Sequence, residues 1–204
     1  SVTCTELRKI KNIELKSSDV AFDGELELLK RCKNINKDTW LGAIGGGHTH
    51  ILNWLESNRV GDKTDTCYCE CAAKHNQIES FKWLQSKGYD MGKSYSHMIK
   101  NENLEMLELL SINPLNTYFG DFCLKIGIKG KMKVLEWLHD KCGMKILYVL
   151  SGAVCHGNIH ILKWFHLNNY VIPENMVVMA AINGYLEIIK YLVSIGKPID
   201  YKVG

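Results

Sequence analysis

The sequence predicts an all-α fold, a helical-repeat solenoid with a period of about 27 residues and short loops between units. Three observations predict it. A short phrase anchored on glycine recurs along the chain. Apolar residues follow each anchor at offsets that share one side of a 3.6-residue helix. Four of the five tryptophans fall on a single offset of that phrase. The clearest copy is Asn183–Gly196, where Gly184 is followed by Leu186, Ile188, Ile189, Tyr191 and Leu192.

Taken in order, the anchors are Gly24, Gly47, Asn76, Glu102, Gly130, Gly157 and Gly184, with spacings after Gly47 of 29, 26, 28, 27 and 27. Four residues after them come Leu28, Ile51, Ser80, Met106, Val134, Ile161 and Ile188. Seven after come Trp54, Trp83, Leu109, Trp137, Trp164 and Tyr191, and eight after come Leu55, Leu84, Leu110, Leu138, Phe165 and Leu192. This run reads as an outer helix. A weaker inner helix precedes each anchor, marked three and four residues earlier by pairs such as Ala43-Ile44, Ala72-Ala73, Ala153-Val154 and Ala180-Ala181. Turn signals close the units at Lys87-Gly88, Asn113-Pro114, Cys142-Gly143, Asn168-Asn169 and Ile195-Gly196-Lys197-Pro198. Strand alternation and hairpin turns are absent between units.

Residues 1–22 are less regular, because Lys16-Ser17-Ser18-Asp19 interrupts the pattern, and they read as an N-terminal cap or a degenerate first unit. Residues 23–200 read as a single domain of about six to seven repeats, and 197–204 as the start of another loop. A two-helix unit of this size cannot bury its apolar face alone and needs neighbours. The tryptophan slot is expected between successive outer helices. For a fully buried ring, Trp137→Ala is then expected to cost about 3–5 kcal/mol.

Composition narrows the function classes. The chain has 204 residues, is 46% hydrophobic and 23% charged, and carries a net charge of +3, which indicates a packed fold rather than disorder. Its basic residues are nearly all lysine, the arginines being Arg8, Arg31 and Arg59. Sparse arginine and low net charge argue against a nucleic-acid partner. No apolar run has the length of a membrane span, so no membrane role is expected. No signal peptide is evident within the sequence. Eight cysteines in a repeat chain of this length read as reduced thiols, which implies an intracellular, cytoplasmic protein.

The phrase Gly184-Tyr185-Leu186-Glu187-Ile188-Ile189-Lys190-Tyr191-Leu192 resembles the outer helix of the ankyrin repeat, and Ala180-Ala181-Ile182-Asn183-Gly184 resembles its Ala-Ala-x-x-Gly turn. Weaker copies start at Asn76 and Gly157, and the resemblance covers roughly residues 20–200. The family's Thr-Pro-Leu-His opening is missing from every unit. The period is also shorter than the usual 33. The lost residues fall where β-hairpin fingers would stand, so short loops are expected instead. In style the repeats are similar to the divergent ankyrin arrays of large DNA viruses that infect amoebae, or of protists. That resemblance implies a host-interaction protein acting in the host cytoplasm.

Few residues suggest chemistry. Cys67-x-Cys69-x-Cys71 invites a zinc reading, with Cys32, His48 or His75 to complete it, but residues two apart on a helix diverge by about 200°. Cys69 and Cys71 instead fit core slots shared by Val177 and Met179. Gly45-Gly46-Gly47 before His48 lacks the Lys-Ser/Thr of a phosphate loop and reads as a tight bend. His156 and His160 straddle Gly157, so they need not share a helix face. Glu79, Glu105, Glu136 and Glu187 read as solvated outer-helix residues rather than paired acids. No catalytic set, metal or cofactor is expected, and no enzyme.

The positions just before each anchor carry the functional expectation. In ankyrin-like arrays this end of the inner helix opens on a concave groove. Stacking would line up Lys74, His75, Lys100, Asn101, Lys129, His156 and Asn183 as a mildly basic stripe. The sequence therefore points to a non-enzymatic module that binds an acidic or polar protein partner along the groove. The alternative is a structural or scaffold component held by its own copies; a Cys/His metal protein is a more distant third reading.

Overall fold

The structure is a computed structural model that describes residues 15–58, 65–91, 94–110, 119–142 and 146–198. The turn at Asn113-Pro114, Gly143, and residues 1–14 and 199–204 lie outside the described residues. The described residues are all-helical, with no strand among them. The chain divides into two compact units, Ser1–Leu110 and Ser111–Gly204. The first holds α1 (Ser17–Phe22), α2 (Leu26–Leu29), α3 (Lys37–Gly46), α4 (Thr49–Ser57), α5 (Cys67–Lys74), α6 (Ile78–Ser86), α7 (Tyr95–Asn101) and α8 (Leu104–Glu108). The second holds α9 (Phe119–Lys129), α10 (Met132–Cys142), α11 (Leu147–Cys155), α12 (Ile159–Leu167), α13 (Met176–Ile182) and α14 (Leu186–Ser194). Helix α1 begins inside the segment that the sequence leaves as a cap or degenerate unit.

The helices come in pairs, and one backbone device makes each pair. Every residue named above as an anchor sits in the left-handed region: φ is +82° at Gly24, +81° at Gly47, +65° at Gly130, +77° at Gly157 and +75° at Gly184. Asn76 (φ 59°) and Glu102 (φ 53°) adopt it as well, the latter against the preference of a residue with a Cβ. The left-handed residue returns its N–H to the first helix, and the next residue's N–H reaches the carbonyl one residue further back: Gly47 to Ile44 at 3.1 Å and His48 to Ala43 at 2.9 Å. This is the Schellman termination, which satisfies carbonyls that a helix end otherwise leaves orphaned. The same two bonds recur at Asn76-Gln77, Glu102-Asn103 and Gly184-Tyr185. The residue after the left-handed one then turns sharply, with φ −93° and ψ 78° at His48 and −87° and 77° at Tyr185, so the second helix starts at once. The turns predicted at Lys87-Gly88, Asn168-Asn169 and Gly196 are left-handed too, at Gly88, Asn169 and Gly196. Helix α3 has a full capping box: Asn36 Oδ1 accepts from the Asp38 and Thr39 amides, and Thr39 Oγ1 accepts from the Asn36 amide.

Within each unit, the first helices of successive pairs lie side by side: α1, α3, α5 and α7 in the first, α9, α11 and α13 in the second. The core is built at fixed distances from the turn. In the first helices it includes Ala43, Ile44, Ala72, Ala73, Met98 and Ile99, and in the second helices Ile51, Leu52, Phe81, Leu84, Leu162 and Phe165, all fully buried. Two of the helix contacts are backbone-close and depend on glycine. A Cβ on Gly42 would lie 2.1 Å from Ser18 O, so α3 sits directly on α1. A Cβ on Gly127 would lie 2.0 Å from Val149 O, and one on Gly152 would lie 2.4 Å from Leu124 O, so α9 and α11 touch glycine-side to backbone.

Two local expectations need correction. Trp54, Trp83, Trp137 and Trp164 are half-buried, so the tryptophan slot lies at the edge of the helix face and the fully buried residue is its neighbour eight after the turn. The fully buried tryptophan is Trp40 in α3, packed against Tyr68, Trp83 and Tyr89 with ring centroids 5.6, 6.1 and 6.0 Å away. Gly45 and Gly46 belong to α3, and the bend needs Gly47 alone; Gly46 is small because a Cβ there would meet Phe22 O at 2.2 Å.

Candidate interaction edge

The residues just before the left-handed turns are the ends of the first helices, and all seven proposed partner residues are exposed there. In the first unit, Lys74 and His75 end α5, and Lys100 and Asn101 end α7. The two ends are tied together: Asn101 Nδ2 donates to Ala73 O at 3.0 Å and lies 3.5 Å from Lys74 O. Neighbouring first helices thus place Lys74 and Lys100, two residues before their turns, on one edge. Neither forms an ion pair with another described residue. His75 sets its ring edge against Phe22 at 6.2 Å. In the second unit Lys129, His156 and Asn183 end α9, α11 and α13. His156 Nδ1 pairs with Gly152 O at 3.1 Å and Asn183 Nδ2 donates to Met179 O at 2.8 Å, so both are held on their own helices.

Sequence reasoning missed the residues that build this edge, the ones immediately after the turns. His48 Nε2 pairs with Phe22 O at 2.9 Å, and Gln77 Nε2 donates to Gly45 O at 3.0 Å. Asn158 Nδ2 donates to Gly127 O at 2.7 Å and to Ile128 O at 3.0 Å. Each reaches across to the previous pair and fills carbonyls at the end of its first helix. Asn103 Nδ2 instead meets Asn76 Oδ1 at 2.6 Å, turn to turn. His50 Nε2 and His160 Nε2 add bonds to Gly24 O (3.3 Å) and Gly130 O (3.1 Å). The signal was present as a recurrent Asn, Gln or His at one offset.

The groups considered for chemistry have other occupations. Cys69 is buried with its sulfur 3.8 Å from Met91 Sδ, and Cys71 Sγ donates to Leu41 O at 3.5 Å. Burial pushes the Cys69 thiol up to about 12 and the Cys71 thiol up to about 11, which keeps both protonated near neutrality. Burial also raises Cys67. The Cys67 thiol and the Lys37 ammonium, 2.5 Å away, hold the Asp65 carboxyl down to about 2. His48, His156 and His160 direct ring nitrogens at three different backbone carbonyls rather than at a common point. Among the described residues, no three His, Cys, Asp or Glu side chains gather as a metal set. Glu79, Glu105, Glu136 and Glu187 are exposed, and Lys82 bridges Glu79 (3.1 Å) and Glu105 (3.3 Å) between neighbouring pairs. Away from these turns, where α1 and α3 begin, lies a cleft lined by Ser17, Ser18, Arg31, Cys32, Asn36 and Asp38, among others. No helix among the described residues is long and apolar enough to cross a membrane.

Set beside known proteins, the chain matches no family model, no curated protein and no solved structure.

Proposed function

We propose that this chain is an ankyrin-like stack of helix pairs that acts as a non-enzymatic protein-interaction module in the cytoplasm. It binds an acidic segment of a protein partner along the edge where the first helices end. One observation carries the reading: Lys74 and Lys100 are exposed at the same register of neighbouring helices, and Asn101 locks the two helix ends together. Repetition of a cation at fixed spacing suits an extended acidic strand better than a compact ligand. Lys129, His156 and Asn183 are exposed at the ends of the first helices of the second unit. The style of the repeats supports a host-directed role for such a module in a large DNA virus.

The test is a triple charge reversal, Lys74→Glu with Lys100→Glu and Lys129→Glu. Fluorescence anisotropy against a labelled Glu/Asp-rich peptide reads binding, and affinity capture from native cells reads partners. Wild-type binding that weakens with salt and is lost in the triple variant supports the edge. Retention of peptide and captured partners by a folded triple variant refutes it.

A further inference from the structure

Within each unit, the pair that follows covers the pair before it, and the cover is legible residue by residue. Three residues before the turn stand Ala21, Ile44, Ala73, Gly127 and Val154, in the five pairs that a later pair of the same unit follows. All five are buried. Five residues after the turn the same pairs place Leu29, Leu52, Phe81, Leu135 and Leu162, all fully buried. In the last pair, α13–α14, the matching residues open up. Ala181 is exposed and Ile189 is only half-buried. Around them Ile182 is 79% and Leu186 59% exposed, with Val178 and Val193 also exposed. Residues equivalent to Leu186 (Leu26, Thr49, Ile78, Met132 and Ile159) are half-buried. The face is therefore an uncovered copy of an interface that the chain makes five times.

The polar half of that interface is also waiting. In four of the five junctions a side chain of the later pair donates to carbonyls two or three residues before the earlier turn: His48 to Phe22, Gln77 to Gly45, Asn101 to Ala73, and Asn158 to Gly127 and Ile128. In the fifth, the Tyr185 ring covers the Gly157 turn instead. The corresponding acceptors in the last pair are Ala181 O and Ile182 O, and among the described residues no side chain donates to them.

We propose that the outward face of α13–α14 is a docking site for one further helix pair, a pair that carries Asn, Gln or His next to its left-handed turn residue. The occupant is specified by both halves of the interface: an apolar helix face for Ala181, Ile182, Leu186 and Ile189, and an N–H donor for the two carbonyls. A second copy of this chain does not meet the specification at its leading pair, because Asp23 and Glu25 flank its turn at Gly24 and their carboxylates would face carbonyl oxygens. The inference rests on the stacked-pair reading but not on the acidic partner, since none of the residues in the lysine test touches this face.

Hydrogen exchange on the full chain provides the first measurement. The α13–α14 amides exchange at least about tenfold faster than those of the covered α11–α12 pair. Equal protection of the two pairs would show that the face is already covered and overturns the proposal. The second measurement extends the chain after Gly204 with a copy of residues 146–170. The extension slows exchange across Leu186–Val193 about tenfold, and Ile182→Lys or Asn158→Asp in the appended copy abolishes the gain. A folded extension that leaves α14 exchange unchanged, or a gain indifferent to Ile182→Lys, overturns it. Sedimentation velocity distinguishes the remaining occupant: a micromolar self-association lost with Ile182→Lys assigns the face to a second copy and overturns the proposal in that direction.

Discussion

Replacing Gly127 by alanine tests whether α9 and α11 truly pack backbone to backbone. The added Cβ would sit 2.0 Å from Val149 O and 2.7 Å from Ala153 N, where ordinary contact starts at 3.4 Å. The shortfall is about 1.4 Å against main-chain atoms, which cannot rotate aside as the tip of a side chain can. The helices must separate. A gap of even 0.5–1 Å forfeits about a quarter to a half of each dispersion contact along the seam. Overpacking of this kind costs about 1–3 kcal/mol and more where the backbone must shift, so Gly127→Ala is expected to lose about 3 kcal/mol. That loss appears despite a helix-propensity gain of about 1 kcal/mol for alanine over glycine. Gly184→Ala is the control. Nothing lies within 4 Å of its added Cβ, but φ is +75°, so the cost is backbone strain alone, about 1–2 kcal/mol. Guanidinium titration followed by helical circular dichroism measures both. A Gly127→Ala protein within about 0.5 kcal/mol of wild type, or one less affected than Gly184→Ala, would refute the close seam.

Three further outcomes are expected. Trp40→Ala costs about 3–5 kcal/mol in the same titration, and Trp137→Ala, whose ring is half-buried, costs less than half of that. Ser80 is buried in a second helix and its Oγ has no hydrogen-bond partner among the described residues, so Ser80→Ala stabilises by about 0.5 kcal/mol, read as a higher denaturation midpoint. Stability falls as pH rises from about 9 toward 11–12. Cys69 and Cys71 stay protonated in the fold while the unfolded chain releases those protons above 9, so the folded state binds more protons across that window. Replacing both by alanine flattens this alkaline slope, and an unchanged slope would assign it to other groups.

Much of the local architecture was legible because the turn has a rigid chemical requirement. Spacing alone placed Asn76 and Glu102 in register with five glycines, and both adopt the left-handed backbone despite carrying side chains. Burial depth was less legible. A 3.6-residue period assigns a face, yet residues seven and eight after the turn differ by about 100° of rotation, and only packing shows which lies at the centre. Trp40 escaped notice because its slot, shared with Cys69, Tyr95, Cys123, Leu150 and Val177, has no chemical uniformity. Gly42, Gly127 and Gly152 read as weak helix formers, and nothing local announces that a neighbouring carbonyl occupies the space of a Cβ. For the candidate edge, exposure of the seven residues followed from their register. The engagement of Asn101, His156 and Asn183 with backbone carbonyls did not, since it depends on the path of the main chain around them.

The bonds from Gln77, Asn101 and Asn158 end on carbonyl oxygens, a chemistry every residue type shares. A joint that reads the main chain is indifferent to the identities on the other side of it. Pairs could then be duplicated, deleted or exchanged in position with one amide or imidazole, or a ring such as that of Tyr185, at the coupling position, and the surrounding side chains left to drift. Growth of the chain by whole pairs is, on this geometry, a smaller perturbation than insertion of a single residue within one.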